Sequence, residues 1–401
     1  MHTRQARLAK PDARCGVGRP LMVRTARTDE TNAAADGLPA LRAVVHATPA
    51  AAARAGWDDV LALPPFLSTD WLKAFAARDG GGAGGPATRY VQLVDDADRP
   101  RFQCLHQVLP VGAMRLGDSV SPRLVSHALG AQAHQVGQAL FSGPAFATDL
   151  DDAQISSAAA VVIAALELRG ACFVKDVPHL SLSTEWTHID ALPEMRLDLP
   201  EAWLSLADYE AALPSKYRRR VRRARRKFGG LRVEVLDVEG AARFGESLSR
   251  LYARLVERTP YAPYVAPPGY VTRLKALRPE ETTLLGYFDG EEMVGFAMLL
   301  RDGAEGLAHL AAVAPAYNAS HQLYLNVLFD LLGQAIAQGC AVLNYGRTAT
   351  TIKSSIGAVP TGYPSAVKHT GCVRNGLLRR LTPLVLDPAE ANALIQRPLG
   401  S

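Results

Sequence analysis

The chain has 401 residues, is 48 % hydrophobic and carries a formal charge of +5. That is enough for two domains with full cores, and no apolar run reaches the length of a membrane span. Five scattered cysteines without a CxxC pair (Cys15, Cys104, Cys172, Cys340, Cys372) argue against a disulfide framework or a zinc ribbon and fit a reducing cytoplasm.

The first 28 residues hold seven basic residues and one acid, Asp12, with no apolar segment behind them, so they are not a secretory signal. Residues 1–40 read as a disordered basic tail, or as the product of a start placed too far upstream. The abundance of Ala and Arg fits a GC-rich bacterial source. Leu41–Thr48 reads as a strand, and Trp57–Leu63 and Ser68–Ala77 as short helices. Asp79–Pro86 has five glycines but lacks the Lys-Ser/Thr ending of a phosphate loop, so it reads as a flexible surface loop. Arg89–Val94 and Phe102–Leu109 alternate as paired strands. After an irregular stretch over 111–145, Asp151-Asp152 opens an apolar helix to about Arg169, and Ala171–Val177 follows as a strand.

Glu194–Leu199 reads as a strand and Leu204–Leu213 as a helix, with Ser205 and Asp208 spaced as a capping box. Next comes Ser215–Phe228, SKYRRRVRRARRKF, with nine basic residues and no carboxylate. Without those nine charges the rest of the chain would sum to −4. Tyr217, Val221, Ala224 and Phe228 share one narrow helical face, and Arg and Lys take the other directions. Five like-charge i,i+4 pairs, such as Lys216–Arg220 and Arg219–Arg223, cost about 1–2.5 kcal/mol together. Burial of the apolar stripe or a polyanion across the basic face would offset this. The candidate anions are coenzyme A, an acidic carrier protein or RNA; the alternative is a solvated surface helix.

Leu231–Leu236 is a strand, and Phe244, Leu248, Leu251, Tyr252 and Leu255 line one helix face. The loop Thr259–Gly269, TPYAPYVAPPG, is stiff and aromatic. Its Tyr261 and Tyr264 make it either a substrate-pocket wall or a rigid connector. Leu284–Phe288 and Met293–Leu300 are strands around an Asp289-Gly290 hairpin turn. Leu307–Val313 is a third strand, Ser320–Gln338 a long amphipathic helix, and Ala341–Tyr345 a strand. The stretches ELRGACFVKDV and AIAQGCAVLNYG both read helix, glycine, apolar strand, which points to a duplication. The expected fold is α/β (α+β), two tandem halves at 41–190 and 191–375, each a mixed, mostly antiparallel sheet flanked by helices. Residues 376–401 read as a tail. The basic helix is expected where the halves meet.

No GxSxG elbow or HExxH motif occurs, and the ten histidines show no metal-ligand spacing. His309, on an apolar strand, reads as a hydrogen-bonded core residue. Asp208 and Glu257 stand near plausible clefts, but neither is singled out as a base.

The order hairpin, strand, long helix, strand, short helix resembles the GNAT acyltransferase superfamily. Two such halves around a K-x-R-x-x-x-R-x-A-x-x-K stretch (Lys216–Lys227) resemble its FemAB-like and BioF2-like branch. PPFLSTDWLKAF after Trp57 is similar to that branch's N-terminal segment, and LNYGRTATTIKSSIGA (343–358) to its closing motif. The resemblance spans about residues 41–375. It implies acyl transfer from a phosphopantetheine-type donor, acyl-CoA or acyl carrier protein, to a small-molecule amine acceptor. An aminoacyl-tRNA donor is the alternative, and a non-catalytic module binding RNA or an acidic protein is a third. GNAT enzymes hold the donor pyrophosphate where the long helix begins, here Tyr317, Asn318, Ala319, Ser320 and His321, although the RxxGxG loop is missing. Lys216, Arg219, Arg220 and Arg223 would grip phosphates. The family's A-x-x-x-Y-x-x-x-G spacing reads Ala349, Lys353, Gly357, so Lys353 would replace the tyrosine that protonates the leaving thiolate. Tyr345 and Arg347 would face the same cleft. No metal or tightly bound cofactor is implied, and the protein would be cytoplasmic, a monomer or homodimer.

Overall fold

The structure is a computed structural model. It describes residues 40–76, 87–113, 115–116, 127–141, 143, 146–176, 186–189, 193–259, 261–262, 265–385 and 398–399. The expected N-terminal tail, the glycine-rich stretch over 79–86 and Tyr264 lie outside these residues.

The first half starts with β1 (Arg42–His46), α1 (Pro49–Arg54) and α2 (Thr69–Ala76). The hairpin β2 (Ala87–Val94) and β3 (Pro100–Pro110) follows, then the short strands β4 (Arg115–Leu116), β5 (Gln132–Val136) and β6 (Phe146–Thr148). Helix α3 (Asp152–Ala165) begins with a full capping box, Asp151 accepting from Gln154 N and Gln154 from Asp151 N. Strands β7 (Ala171–Val174) and β8 (Thr187–Ile189) complete this stretch. The helix expected at Trp57–Leu63 lies earlier, at Pro49–Arg54. There Thr48 caps the start, and Trp57 is a core anchor whose Nε1 donates to Leu67 O at 3.0 Å.

The second half opens with β9 (Glu194–Asp198), α4 (Leu206–Ala212) and the basic helix α5 (Ser215–Phe228). It continues through β10 (Arg232–Leu236), α6 (Val238–Arg243), α7 (Gly245–Arg258), β11 (Tyr261–Ala262) and α8 (Tyr270–Leu277). The antiparallel strands β12 (Thr282–Asp289), β13 (Glu292–Asp302) and β14 (Glu305–Val313) form its centre. Gly290, at φ +55°, makes the β12–β13 turn. Then come α9 (Pro315–His321), α10 (Leu323–Ala337), β15 (Val342–Asn344), α11 (Thr350–Ser354), β16 (Val359–Thr361), β17 (Ser365–His369) and α12 (Cys372–Val385). The single helix expected at Ser320–Gln338 is broken at Gln322, which sits in the left-handed region at φ +52° and ends one hydrogen-bond ladder before the next begins.

Two mixed sheets result. Their orders are β1-β2-β3-β5-β7-β17-β8, with β6 beside β3, and β10-β12-β13-β14-β15-β9-β16. Position by position the orders match, and each sheet has one parallel pair, β5 with β7 and β14 with β15. This is the internal duplication seen as topology. The halves are not contiguous, however. Strand β9 follows β8 in the chain but joins the second sheet, whereas β17 follows β16 but joins the first. The first sheet thus takes β17 from the end of the second half, whereas the second sheet is built from strands of β9–β16 alone. The stretch 376–401 is not simply a tail. Helix α12 packs on β17 and β8, and Leu399 packs against Leu197 and Gly357.

Alternation on the second sheet sends side chains to two separate cores. One face gives Leu285, Val294, Ala297, Leu299 and Leu343 to α4, α5 and α10. The other gives Leu284, Phe296, Met298, Leu300 and Leu307 to α7 and α8, and also meets Phe66, Trp71 and Phe75 of the first half. The basic helix therefore does not stand at the junction of the halves. Its contacts are with α4, α9 and α10, because its apolar stripe (Tyr217, Val221, Ala224, Phe228) completes the first of these cores.

Candidate active site

The parallel pairing of β14 and β15 runs only from Glu305/Val342 to Leu307/Asn344. Beyond that point β14 continues six residues without β15 beside it. The register of β14 against β13 also shifts here, so that His309 is the extra residue of a bulge. In the first half β5 and β7 stay paired to the end of both strands, Val136 with Val174, and the chain beyond remains joined there by Lys175 N donating to Val136 O. Of the two parallel pairs, only the second opens part-way along.

A cavity of about 140 Å³ lies at this opening, between the halves. Pro64, Pro65, Phe66, Phe141 and Gly143 come from the first half, and Arg196, Glu305, Leu307, Asn344 and Tyr363 from the second. The alternation explains the second set. Met195, Leu197 and Leu343 enter the α10 core, so Arg196 and Asn344 point the opposite way, toward the first half. Arg196 Nη2 donates to Glu305 Oε2 at 2.7 Å, and Asn344 Nδ2 donates to Glu194 Oε2 at 2.9 Å. Burial pushes the Glu305 carboxyl above its ordinary range against the opposing pull of Arg196. Burial likewise raises the Tyr363 hydroxyl, and Arg196, Glu194, Glu305 and Asp176 all act on it electrostatically.

Beside the cavity lies a buried ionic group joining the halves. Asp176, fully buried, accepts from Lys175 Nζ at 2.6 Å, from Gly143 N at 3.0 Å and from Arg347. Burial alone would raise this carboxyl, but Lys175 and Arg347 outweigh it and hold it below the usual carboxylate range. Lys175 also donates to Phe141 O at 2.8 Å. His309 meets Tyr270 OH at 2.8 Å, and burial drops its pKa to about 4, which keeps the ring neutral at physiological pH.

The residues expected from the sequence fall in several places. Arg347 reaches the seam between the halves, through Asp176. Tyr345 does not face the cleft: it lies in the α10 core, its hydroxyl donating to Leu328 O at 3.0 Å. Alternation forces this, because Asn344 already takes the cavity side. Lys353 is buried, and its Nζ donates to Arg347 O at 2.7 Å and Gly346 O at 3.3 Å. It clamps the loop that carries Arg347 and does not line the cavity. Tyr317 turns to the hairpin, donating to Asp289 Oδ2 at 2.7 Å. Asn318 Oδ1 accepts from Tyr324 N at 3.1 Å, so it caps α10 and occupies one of its first-turn donors. Ser320 Oγ donates to Ala316 O and lies 2.7 Å from His321 Nδ1. Tyr261 pairs with Leu116 through the backbone of β11 and β4. Asp208 accepts from Leu204 N and Ser205 Oγ at the start of α4, the reverse of the capping expected, and Glu257 is exposed on α7. Neither lines the cavity.

On the basic helix, Arg225 pairs with Asp330 at 2.6 Å, and Arg218 donates to Leu213 O at 2.9 Å. Lys216, Arg219, Arg220, Arg222, Arg223 and Arg226, with Tyr217, frame an open groove of about 690 Å³. No ion pair of theirs is found among the described residues. Glu194, Arg196, Glu305, Asn344 and Tyr363 were not legible as site residues. The available signal was faint: charges at alternate positions of the short strand EMRLD, and one Glu at a strand start.

Residues 215–354 match the family described as an acetyltransferase (GNAT) domain. The matched stretch runs from the basic helix α5 to α11, and the fold of the chain is a mixed α/β pair of sheets flanked by helices. No curated protein matches it. Among solved structures it is similar to the C-terminal DUF2156 domain of an Agrobacterium fabrum protein, at 12 % identity and a TM-score of 0.48, covering 86 % of this chain and 100 % of that one. It is also similar to FemX, at 11 % identity and 0.46, covering 74 % and 91 %. A tandem GNAT protein from the clavulanic acid biosynthesis pathway gives 11 % identity and 0.45, covering 82 % and 99 %. Among the described residues no helix is long and apolar enough to cross a membrane.

Proposed function

We propose that the chain moves an acyl group from a phosphopantetheine-type donor, acyl-CoA or acyl carrier protein, to an amine held in the cavity between the halves. The observation that carries this is the opening of β14 from β15 beyond Leu307 and Asn344. In this reading it would join the face bearing the basic helix and the start of α10 to the face bearing the cavity. The donor's phosphates would lie toward α5 and the amino end of α10, where helix polarity favours anions. Because Asn318 already occupies Tyr324 N, the arginines carry more of that task than a bare helix start would leave them.

Glu305 is suited to take the proton from the attacking amine, because burial places its carboxyl nearer the operating pH. The amine nitrogen bonds to the thioester carbonyl carbon, and the C–S bond breaks as the tetrahedral intermediate collapses. The Tyr363 hydroxyl, on the cavity wall, gives its proton to the departing thiolate. Free thiol released from a panel of acyl-CoAs and acyl carrier proteins, with mixed amines present, tests the reading. Glu305→Gln should lower kcat/KM by roughly 10²–10⁴-fold and remove an acid limb that lies above the ordinary glutamate range. Wild-type rates in the Gln variant would refute the assignment.

One observation favours a second donor, aminoacyl-tRNA, as the FemAB-like resemblance implies. Lys216, Arg220, Arg223 and Lys227 form one row about 16 Å long, longer than a single nucleotide needs. A steep fall of tRNA affinity with salt, lessened by Arg223→Gln, would support it.

A further inference from the structure

The outermost strand of the second sheet carries a bare apolar face. Strand β10 ends that sheet, with β12 on one side and, among the described residues, no strand on the other. Its register sets Val233 beside Tyr287 and Val235 beside Leu285, so both valines lie on the α10 side of the sheet. They are nonetheless 38 % and 63 % exposed. The duplication supplies a comparison. The matching strand of the first half is β1, and there Ala43, with Leu41 just before it, is 3 % exposed beneath α3. Helix α10 instead packs on β13, β14 and β15, inward of β10. An open edge with exposed β-branched residues is a template for another strand.

We infer that a second copy of the chain covers this edge, its β10 running antiparallel to the first about a twofold axis at Val233. The strand's charges select that partner and that register. Arg232 and Glu234 stand on the opposite face from the valines, paired with each other, and the Arg232 guanidinium lies 4.6 Å from the centre of the Phe288 ring. Pairing about Val233 sets Arg232 opposite Glu234 of the partner subunit, and Leu231 opposite the partner's Val235. Opposite charges directly across a ladder favour it. Pairing about Glu234 would instead set that carboxylate against its own copy, which opposes the contact. The approach beside Leu231 is open, because a Cβ on Gly230 would meet nothing within 4 Å. Such an interface is self-complementary and closed, as a twofold dimer requires. The two seven-stranded sheets become one, and both arginine grooves come to lie on the same face of it. The inference does not depend on the acyl-transfer reading.

Sedimentation of the full chain over a concentration series tests this, and wild type should show a monomer–dimer equilibrium. Arg232→Glu and Glu234→Arg each bring like charges together across the axis, and each should weaken dimerisation at least tenfold. Mixed in equal amounts, the two variants should associate again, because each then meets the opposite charge. Val235→Lys, at an exposed position, should also weaken the dimer at least tenfold while leaving the melting temperature of the monomer unchanged. A wild-type chain that stays monomeric at every concentration overturns the inference. So does a dimer that Val235→Lys and the charge variants form at wild-type strength, since the contact then lies elsewhere. Weakening that mixing does not reverse overturns the pairing about Val233. If the charge variants do not fold, Val235→Lys decides: a weakened dimer supports the edge contact and an unchanged one overturns it.

Discussion

Lys353 occupies the position where the family pattern puts a proton donor, yet its ammonium is spent on the carbonyls of Gly346 and Arg347. Lys353→Met should leave these carbonyls unpaired and destabilise the protein by about 2–4 kcal/mol, read as a lower urea midpoint. Tyr345→Phe loses only the bond to Leu328 O and should cost about 0.5–1.5 kcal/mol with turnover nearly intact. A Lys353→Met enzyme of normal stability and no turnover would restore the sequence assignment. At this scale the sequence was least legible. The motif LNYGRTATTIKSSIGA marks the right loop, but alternation on β15 decides that Asn344 looks into the cavity and Tyr345 away from it. A single sequence does not distinguish the buried Glu194 from the exposed Glu257.

At the scale of elements, the basic helix shows what was readable. Its span follows from the apolar stripe and the flanking Pro214 and Gly229, and it is found at those limits. Its partner was not readable, because an apolar stripe says only that something covers it. That something is α10, joined by Arg225–Asp330 and by Asn326 Nδ2 donating to Ala224 O. The arginines should therefore fall into two groups. Arg225→Ala strands the largely buried Asp330 and should cost about 2–3 kcal/mol, estimated from charged hydrogen bonds. Arg223→Gln relieves like-charge repulsion and should stabilise by a few tenths of a kcal/mol, in the range known for i,i+4 pairs. Moderate salt should raise the melting temperature of wild type more than that of Arg223→Gln. Thermal melts at two ionic strengths check the contrast, and destabilisation of equal size by both substitutions would contradict it.

At the scale of the molecule, the two-half architecture was legible as a repeat of helix, glycine and strand. The return of β17 to the first sheet was not, because that strand carries no mark of which sheet it enters. The seam between the halves rests on Asp176. Asp176→Asn leaves Lys175 and Arg347 without their shared carboxylate and should cost roughly 3–5 kcal/mol. In wild type the folded carboxyl is held below its ordinary range, so its contribution is complete above about pH 4 and is lost as pH falls through the folded value. Acid titration of stability should show that loss in wild type and not in the Asn variant. Parallel curves would mean that Lys175 and Arg347 do not depend on Asp176.

The return of β17 to the first sheet also bears on the order of events in the proposed reaction. A chain that passes between its two sheets twice, after β8 and after β16, is tied against opening as a hinged clamp does. On the proposed acyl-transfer reading each reactant needs its own door, the arginine groove serving the donor and the cavity the amine. In that reading neither has to leave before the other arrives, and both are expected aboard when chemistry occurs. Initial rates measured with donor and amine varied together should give intersecting reciprocal plots. Parallel lines would instead mean that the acyl group rests on the protein between two separate visits.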